Sequence, residues 1–298
     1  MDLVMTVPSL PDRGGDILAS SASYYPGGGF NVLTAARRQG LEVLYAGRIG
    51  QGPLGDHIWT RCHQEHIACL WPPTDEGDTG FDIALVEPGG ERTFVTFPGV
   101  ESRIGTEHLV PLQVAEGDVL YLSGYDLLYP ISGPTIVDFL RGMPFEVRLI
   151  FDPGPLVLAI PEDRLNLVLK RSWLVTANRN EMTRLTGCGD PALAAQDLSS
   201  KLLKGSIVVA RDGAEGAFVS ADGVLSHVPS RPTRPKDTTG AGDTHTGVLV
   251  ARLSQGEPLL KAVRAANVAA ALSVEEAGPA TCPSADRLAS DLKKLGED

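Results

Sequence analysis

The residues best suited to chemistry form one short run, Asp237-Thr238-Thr239-Gly240-Ala241-Gly242-Asp243, between a Pro-rich, basic connector (residues 231–236) and an Ala-rich segment that reads as a helix. Glycines at a helix entrance leave free N–H groups that converge on one spot, and the helix dipole adds positive potential there. Such a run is suited to holding an anion, a phosphate above all. A carboxylate beside a phosphate site is electrostatically awkward and asks for a reason. Deprotonating an attacking hydroxyl supplies one, because phosphoryl transfer needs an acceptor oxygen in line with the γ-phosphate and a group to take its proton. Read alone, the same residues also describe a glycine turn whose Asp caps a helix.

Further runs pair glycines with polar side chains. Gly27-Gly28-Gly29-Phe30-Asn31 opens a helix-compatible segment closed by Gly40, and Asn178-Arg179-Asn180-Glu181 precedes Leu185-Thr186-Gly187. The spacing of Asn178 and Glu181 is also that of a capping box. A strand-like run from Val208 ends on Arg211, Gly213 and Gly216, and a guanidinium there suits phosphate oxygens. Cys62, His63, His66 and Cys69 lie close in sequence and can all bind zinc, but their spacing matches no standard zinc motif; a packed helix end is the preferred reading.

Taken together and in order, these runs resemble the ribokinase/PfkB carbohydrate kinase family along nearly the whole chain. The resemblance implies an α/β, three-layer fold with a mostly parallel central sheet flanked by helices and a small β-lid from residues 12–26 and 79–100, all within one domain, 1–298. It implies that Asp243 is the general base and that Gly240, Ala241 and Gly242 form the anion hole. Asp2, Gly27, Gly28, Asn31 and Phe81 would meet the acceptor, with Tyr125 and Asp152 as further pocket residues. Asn178, Arg211, Gly213, Gly216, Thr238 and Asn267 would meet ATP, and Glu181 would hold Mg2+ through water. Asp237, Thr239, Ser273 and Gly278 match positions around a monovalent cation such as K+. The implied reaction carries the γ-phosphate of ATP to a hydroxyl of a small sugar, or alternatively to the ribosyl 5'-hydroxyl of a nucleoside. A catalytically idle binding or regulatory protein on the same fold is the reading from a different class. Lid strands also pair subunits in such proteins, so a homodimer is expected.

The match has departures. Leu33 stands where the family places a small residue, and Ser123-Gly124-Tyr125 lacks the acidic side chain that ribokinase-like relatives carry. The segment before Asp2 lacks half of the usual first strand, which leaves open whether the natural start lies upstream of Met1.

The surrounding elements fit an α/β frame. Apolar runs at 119–122, 147–151, 173–176 and 207–210 alternate with helix-like segments, the rhythm of βαβ units. Residues 81–87 and 92–97 flank Pro88-Gly89-Gly90-Glu91 as a hairpin, and 217–220 with 224–228 as a second. Residues 41–46 read as a buried strand. A net charge of −11 argues against broad nucleic-acid binding, which needs clustered Lys and Arg. The absence of a long apolar run, a basic leader or a disulfide spacing leads to the expectation of a cytoplasmic protein without a membrane role.

Overall fold

The computed structural model describes residues 1–296. Its strands form separate hydrogen-bonded sheets. The largest has the order β12-β11-β10-β9-β8-β7, from β7 (Val119–Ser123), β8 (Arg148–Asp152), β9 (Ser172–Asn178), β10 (Ile207–Arg211), β11 (Ala217–Ala221) and β12 (Val224–Val228). Strands β7 to β10 run parallel, and β11 and β12 add an antiparallel hairpin. The smaller sheet has the order β2-β1-β5-β6, from β1 (Asp2–Thr6), β2 (Ser21–Tyr25), β5 (Phe81–Val86) and β6 (Arg92–Phe97). Both expected hairpins are present.

Of the buried strand expected at residues 41–46, only the two-residue β3 (Leu44–Tyr45) forms, paired with β4 (Ala68–Cys69). Leu44 is exposed. This pair is not hydrogen-bonded to the large sheet, so neither of its strands has the neighbour on both sides that would bury it. Strand β1 belongs wholly to the small sheet.

Helices α1 (Gly29–Arg38), α2 (Pro53–Gln64), α3 (Thr106–Leu109), α4 (Gly124–Leu128), α5 (Ser132–Gly142), α6 (Glu162–Arg171), α7 (Arg179–Thr186), α8 (Pro191–Lys201), α9 (Ala241–Ser254), α10 (Leu259–Ser273) and α11 (Ala285–Lys294) flank these sheets. Alternation along each strand divides the core into two layers. Leu149, Phe151, Val208 and Ala210 face α5, α7 and α8 through Leu140, Met182, Ala194 and Leu198. Ile150, Leu174 and Val209 face α1, α9, α10 and α11 through Ala35, Val248, Val263 and Leu288. The sheet buries both faces, which is why its strands read as continuous apolar runs. Among the described residues no helix is long and apolar enough to cross a membrane.

Cys62 packs at the end of α2 in a small apolar cluster with Phe30, Ile49, Ile58 and Ile67. His63 Nδ1 lies 2.8 Å from the Trp59 carbonyl oxygen. Among the described residues no group of His, Cys, Asp and Glu is arranged to hold a metal ion by itself.

Candidate active site

The carboxyl-terminal edges of the parallel strands and the entrances of α1, α7 and α9 meet beneath the small sheet. Gly240 caps α9 in a left-handed conformation (φ 72°), and a Cβ there would run into the Pro279 carbonyl. Only glycine suits that turn. Helix geometry leaves the first-turn N–H groups of α9 without intrahelical acceptors, and Asp243 lies in that same turn.

Asn31, in the first turn of α1, donates from Nδ2 to Asp243 Oδ2 at 2.9 Å. The contact depends on how closely the two helices approach. Gly247 lies one turn beyond Asp243, and a Cβ there would strike the Val32 carbonyl oxygen and Ala35 of α1. Burial pushes the Asp243 carboxyl up to about 6; the Asn31 hydrogen bond and Arg211 pull it down, while Asp152 and Asp2 push it further up.

Arg211 ends β10 and lies against Gly242, where a Cβ would collide with its guanidinium. Its Nη2 donates to Asp152 Oδ2 at 3.1 Å and to Glu181 Oε2 at 3.4 Å. Burial works against its charge, but Asp152, Glu181 and Asp243 more than compensate and hold its pKa above the ordinary value. Burial raises the Glu181 carboxyl, Asp152 adds to the rise, and Arg211 and the Asn178 N–H oppose it. Asn178 and Glu181 form a reciprocal capping box on α7, with Asn178 N–H to Glu181 Oε2 at 2.7 Å and Glu181 N–H to Asn178 Oδ1 at 2.9 Å. The box fixes the Glu181 carboxylate beside Asp152. Both carboxylates converge on the Arg211 guanidinium, and with Arg211 turned away they could hold Mg2+ through its waters.

Gly213 and Gly216 bracket the tight turn between β10 and β11. Asn267, expected against the nucleotide, is buried, with its Nδ2 donating to the Val228 carbonyl at 2.8 Å and its Oδ1 3.1 Å from His245 Nε2. Its amide is committed within the protein. Burial holds His245 neutral, with its pKa lowered to about 3 and Arg211 contributing.

Asp237, Thr239, Ser273 and Gly278 are brought together. Asp237 Oδ1 accepts from the Thr239 N–H at 2.9 Å and the Thr239 hydroxyl at 2.7 Å, and Oδ2 accepts from the Gly278 N–H at 3.1 Å. Burial opposes ionisation of Asp237, yet these hydrogen bonds and Arg92 hold it below the ordinary value. The Ser273 and Gly278 carbonyls converge on the Thr281 hydroxyl. Arg92, on β6, reaches across to donate to Asp237 Oδ1 at 2.8 Å and to the Thr238 hydroxyl at 2.9 Å. Neither Thr281 nor Arg92 stands out in the sequence; Arg92 is legible only as a basic residue at the start of a hairpin strand.

Asp2 folds back against the α1 entrance, its carboxylate filling the space a Cβ on Gly27 would need. Gly28 is the N-cap of α1. Phe81, expected in the acceptor pocket, pairs with Phe97 across β5 and β6, with ring centroids 5.8 Å apart. Strand alternation puts Phe81 on the face opposite its neighbour Asp82, and Asp82 sits directly beside Asp2 in the parallel register. Tyr125 packs over Gly154, at 3.5 Å from where its Cβ would be.

A glycine turn at a helix entrance, the buried Asp243 carboxyl and the Asp152–Arg211–Glu181 cluster thus lie together at one end of the large sheet. The model for pfkB family carbohydrate kinases matches residues 1–286. The chain is 34% identical over 293 residues to a protein from Escherichia coli K12 named as the uncharacterized sugar kinase YegV, covering 97% of this chain and 90% of that protein. Among solved structures, the ribokinase of Thermotoga maritima superposes with a TM-score of 0.82 at 22% identity, over 98% of this chain and 96% of that one. A fructokinase of Vibrio cholerae, solved with fructose, ADP and calcium, gives a TM-score of 0.80 at 23% identity over 97% and 96% of the two chains. These likenesses show the ribokinase-like fold. The chain belongs to the pfkB family of carbohydrate kinases, phosphotransferases with an alcohol group as acceptor.

Proposed function

We propose that this kinase transfers the γ-phosphoryl group of ATP to a hydroxyl of a small sugar, with Asp243 as general base and the Gly240-Ala241-Gly242 backbone as anion hole. The observation that carries the reading is the joining of Asn31 to Asp243 at 2.9 Å in the first turn of α9, where helix geometry leaves the Gly242 and Asp243 N–H groups without intrahelical acceptors. An acceptor hydroxyl held by Asn31 would lie beside its base, facing an anion bound at those N–H groups. As the phosphorus–oxygen bond forms, the hydroxyl proton passes to Asp243 and the ADP oxygen leaves with the former bridging electrons.

Arg211 is in position to turn from its carboxylates toward phosphate oxygens, and Thr238, Gly213 and Gly216 would border the nucleotide. Mg2+, when bound through water by Glu181 beside Asp152, supplies neutralisation of phosphate charge. Asp237 and Thr239 organise the loop on the side where a monovalent cation would sit near the Ser273 and Gly278 carbonyls. The small sheet serves as the lid that keeps water from the γ-phosphate, and its outer face joins two subunits.

The test is ADP release across a panel of sugars and nucleosides with Mg2+ and K+. Asp243→Asn should keep nucleotide binding and lose turnover by about 10² to 10⁴. Retention of full turnover by that variant on the best acceptor would remove Asp243 from the role.

A further inference from the structure

The acceptor end of the site contains a carboxylate that the proposed chemistry does not use. Strands β1 and β5 run parallel with Asp2 opposite Asp82, so the two side chains share one face of the small sheet. The same face carries Arg92, opposite Val86 across β5 and β6, and Arg92 reaches Asp237. That face therefore looks onto the phosphate-binding loop. Asp2 lies against Gly27, at the entrance of the helix that carries Asn31.

Two buried polar atoms there are short of donors. Among the described residues Asp82 Oδ1 has no hydrogen-bond donor other than the Asp2 carboxyl beside it, and Asn31 Oδ1 has none, on a side chain only 3% exposed whose nitrogen is spent on Asp243. Unsatisfied buried acceptors are costly in a folded protein and point to a ligand that completes them. Burial and then the neighbouring Asp82 raise the Asp2 carboxyl, and burial raises Asp82, with the Met1 ammonium opposing both. Both carboxylates also act on Tyr125, and Asp2 acts on Asp243, so these groups face a common space. The nearby guanidinium groups are engaged elsewhere, Arg211 by Asp152 and Glu181 and Arg92 by Asp237.

We propose that Asp82 is a specificity-determining residue which, paired with Asp2, reads the acceptor by its hydrogen-bond donors, selecting a neutral or amino-bearing polyhydroxy compound and rejecting sugar acids and sugar phosphates. This deepens the kinase reading above and rests on it. Adjacent strands lie about 4.8 Å apart, a separation that neighbouring hydroxyls of one small molecule can bridge by donating one to each carboxylate. Asn31 Oδ1 accepts a further donor from the same molecule. An acceptor with its own carboxylate or phosphate at this end would meet like charge and leave the buried oxygens unpaired, the repulsive half of specificity.

The test uses the full chain with Mg2+ and ATP against four arms: neutral sugars and nucleosides, amino sugars, sugar acids, and sugar phosphates. Calorimetric binding is measured beside ADP release. Binding and turnover are expected in the neutral or amino arm and absent from both anionic arms. In Asp82→Asn and Asp82→Ala the acceptor KM should rise about tenfold or more, while kcat and the KM for ATP stay close to the parent values. The isosteric Asn variant keeps the comparison readable if the Ala variant folds poorly. A preferred anionic acceptor, an unchanged acceptor KM in the Asn variant, or no binding in the neutral and amino arms would each overturn the proposal. The two readings fail differently: a neutral sugar bound without ADP release counts against the kinase reading alone, and turnover of a sugar acid counts against the carboxylate pair alone.

Discussion

Asp243 is held between burial, which favours its proton, and Asn31 and Arg211, which favour its charge; burial prevails and places its pKa at about 6. Activity should therefore fall on the acid side with a midpoint near pH 6 in kcat/KM, the parameter that reports the free enzyme. A midpoint near 4, the ordinary carboxylate value, would mean that another group limits the reaction. The raised value also bears on stability. The contribution is full below the unfolded value of 3.8 and is lost as pH rises through about 6, so the ionised Asp243 is a burden on the fold at neutral pH. Arg211 acts the opposite way, since its single charge pairs with Asp152 and Glu181 at once. Arg211→Met should lower thermal stability by about 3 to 5 kcal/mol, the cost of leaving buried carboxylates unpaired, and added Mg2+ should raise the melting temperature of this variant more than that of the parent. A melting temperature equal to the parent's, without Mg2+, would show that the pairing is not needed.

At the scale of elements, the site depends on how closely α1 and α9 approach. Gly247 sets that distance, because a Cβ there meets the backbone of Val32. Gly247→Val should separate the helices, lengthen the Asn31–Asp243 contact and destabilise the protein by about 1 to 3 kcal/mol, with the loss of turnover larger than the loss of nucleotide affinity. Equal losses in both, read from steady-state kinetics and nucleotide titration, would contradict that division. The sequence made much of this scale legible. Glycine punctuation marks the α1 and α9 entrances, alternating apolar runs mark β7 to β10, and a Pro-Gly-Gly turn marks the β5–β6 hairpin. What it left hidden are relations fixed by register and packing. Asp82 reads as one acidic residue in a β-rich run until parallel pairing sets it beside Asp2, and Arg92 reads as a surface charge until the hairpin carries it to Asp237. The family resemblance put Phe81 in the acceptor pocket, yet strand alternation turns it to the face opposite Asp82. Asn267 matched a nucleotide position, but its amide is committed to holding Val228 and His245.

At the scale of the whole molecule, the small sheet has two unlike faces. Its inner face holds Asp2, Asp82 and Arg92, and its outer face holds Phe81 with Tyr24, Val95 and Phe97, the last three exposed at 58%, 62% and 63%. An exposed apolar patch of this kind is suited to association, and the proposed dimer would use it. Phe97→Glu should shift the proposed dimer to monomer in sedimentation experiments and weaken acceptor binding through a looser lid. An unchanged mass for the variant would remove the outer face from assembly. The Asn31–Asp243 hydrogen bond also spans 212 positions of chain. At about 5 to 20 residues per second, a ribosome needs roughly 10 to 40 s after making Asn31 before it reaches Asp243. During synthesis the α1 surface must therefore wait, uncovered, for α9, and an amino-terminal fragment ending before α9 should be inactive if Asp243 is the proposed base.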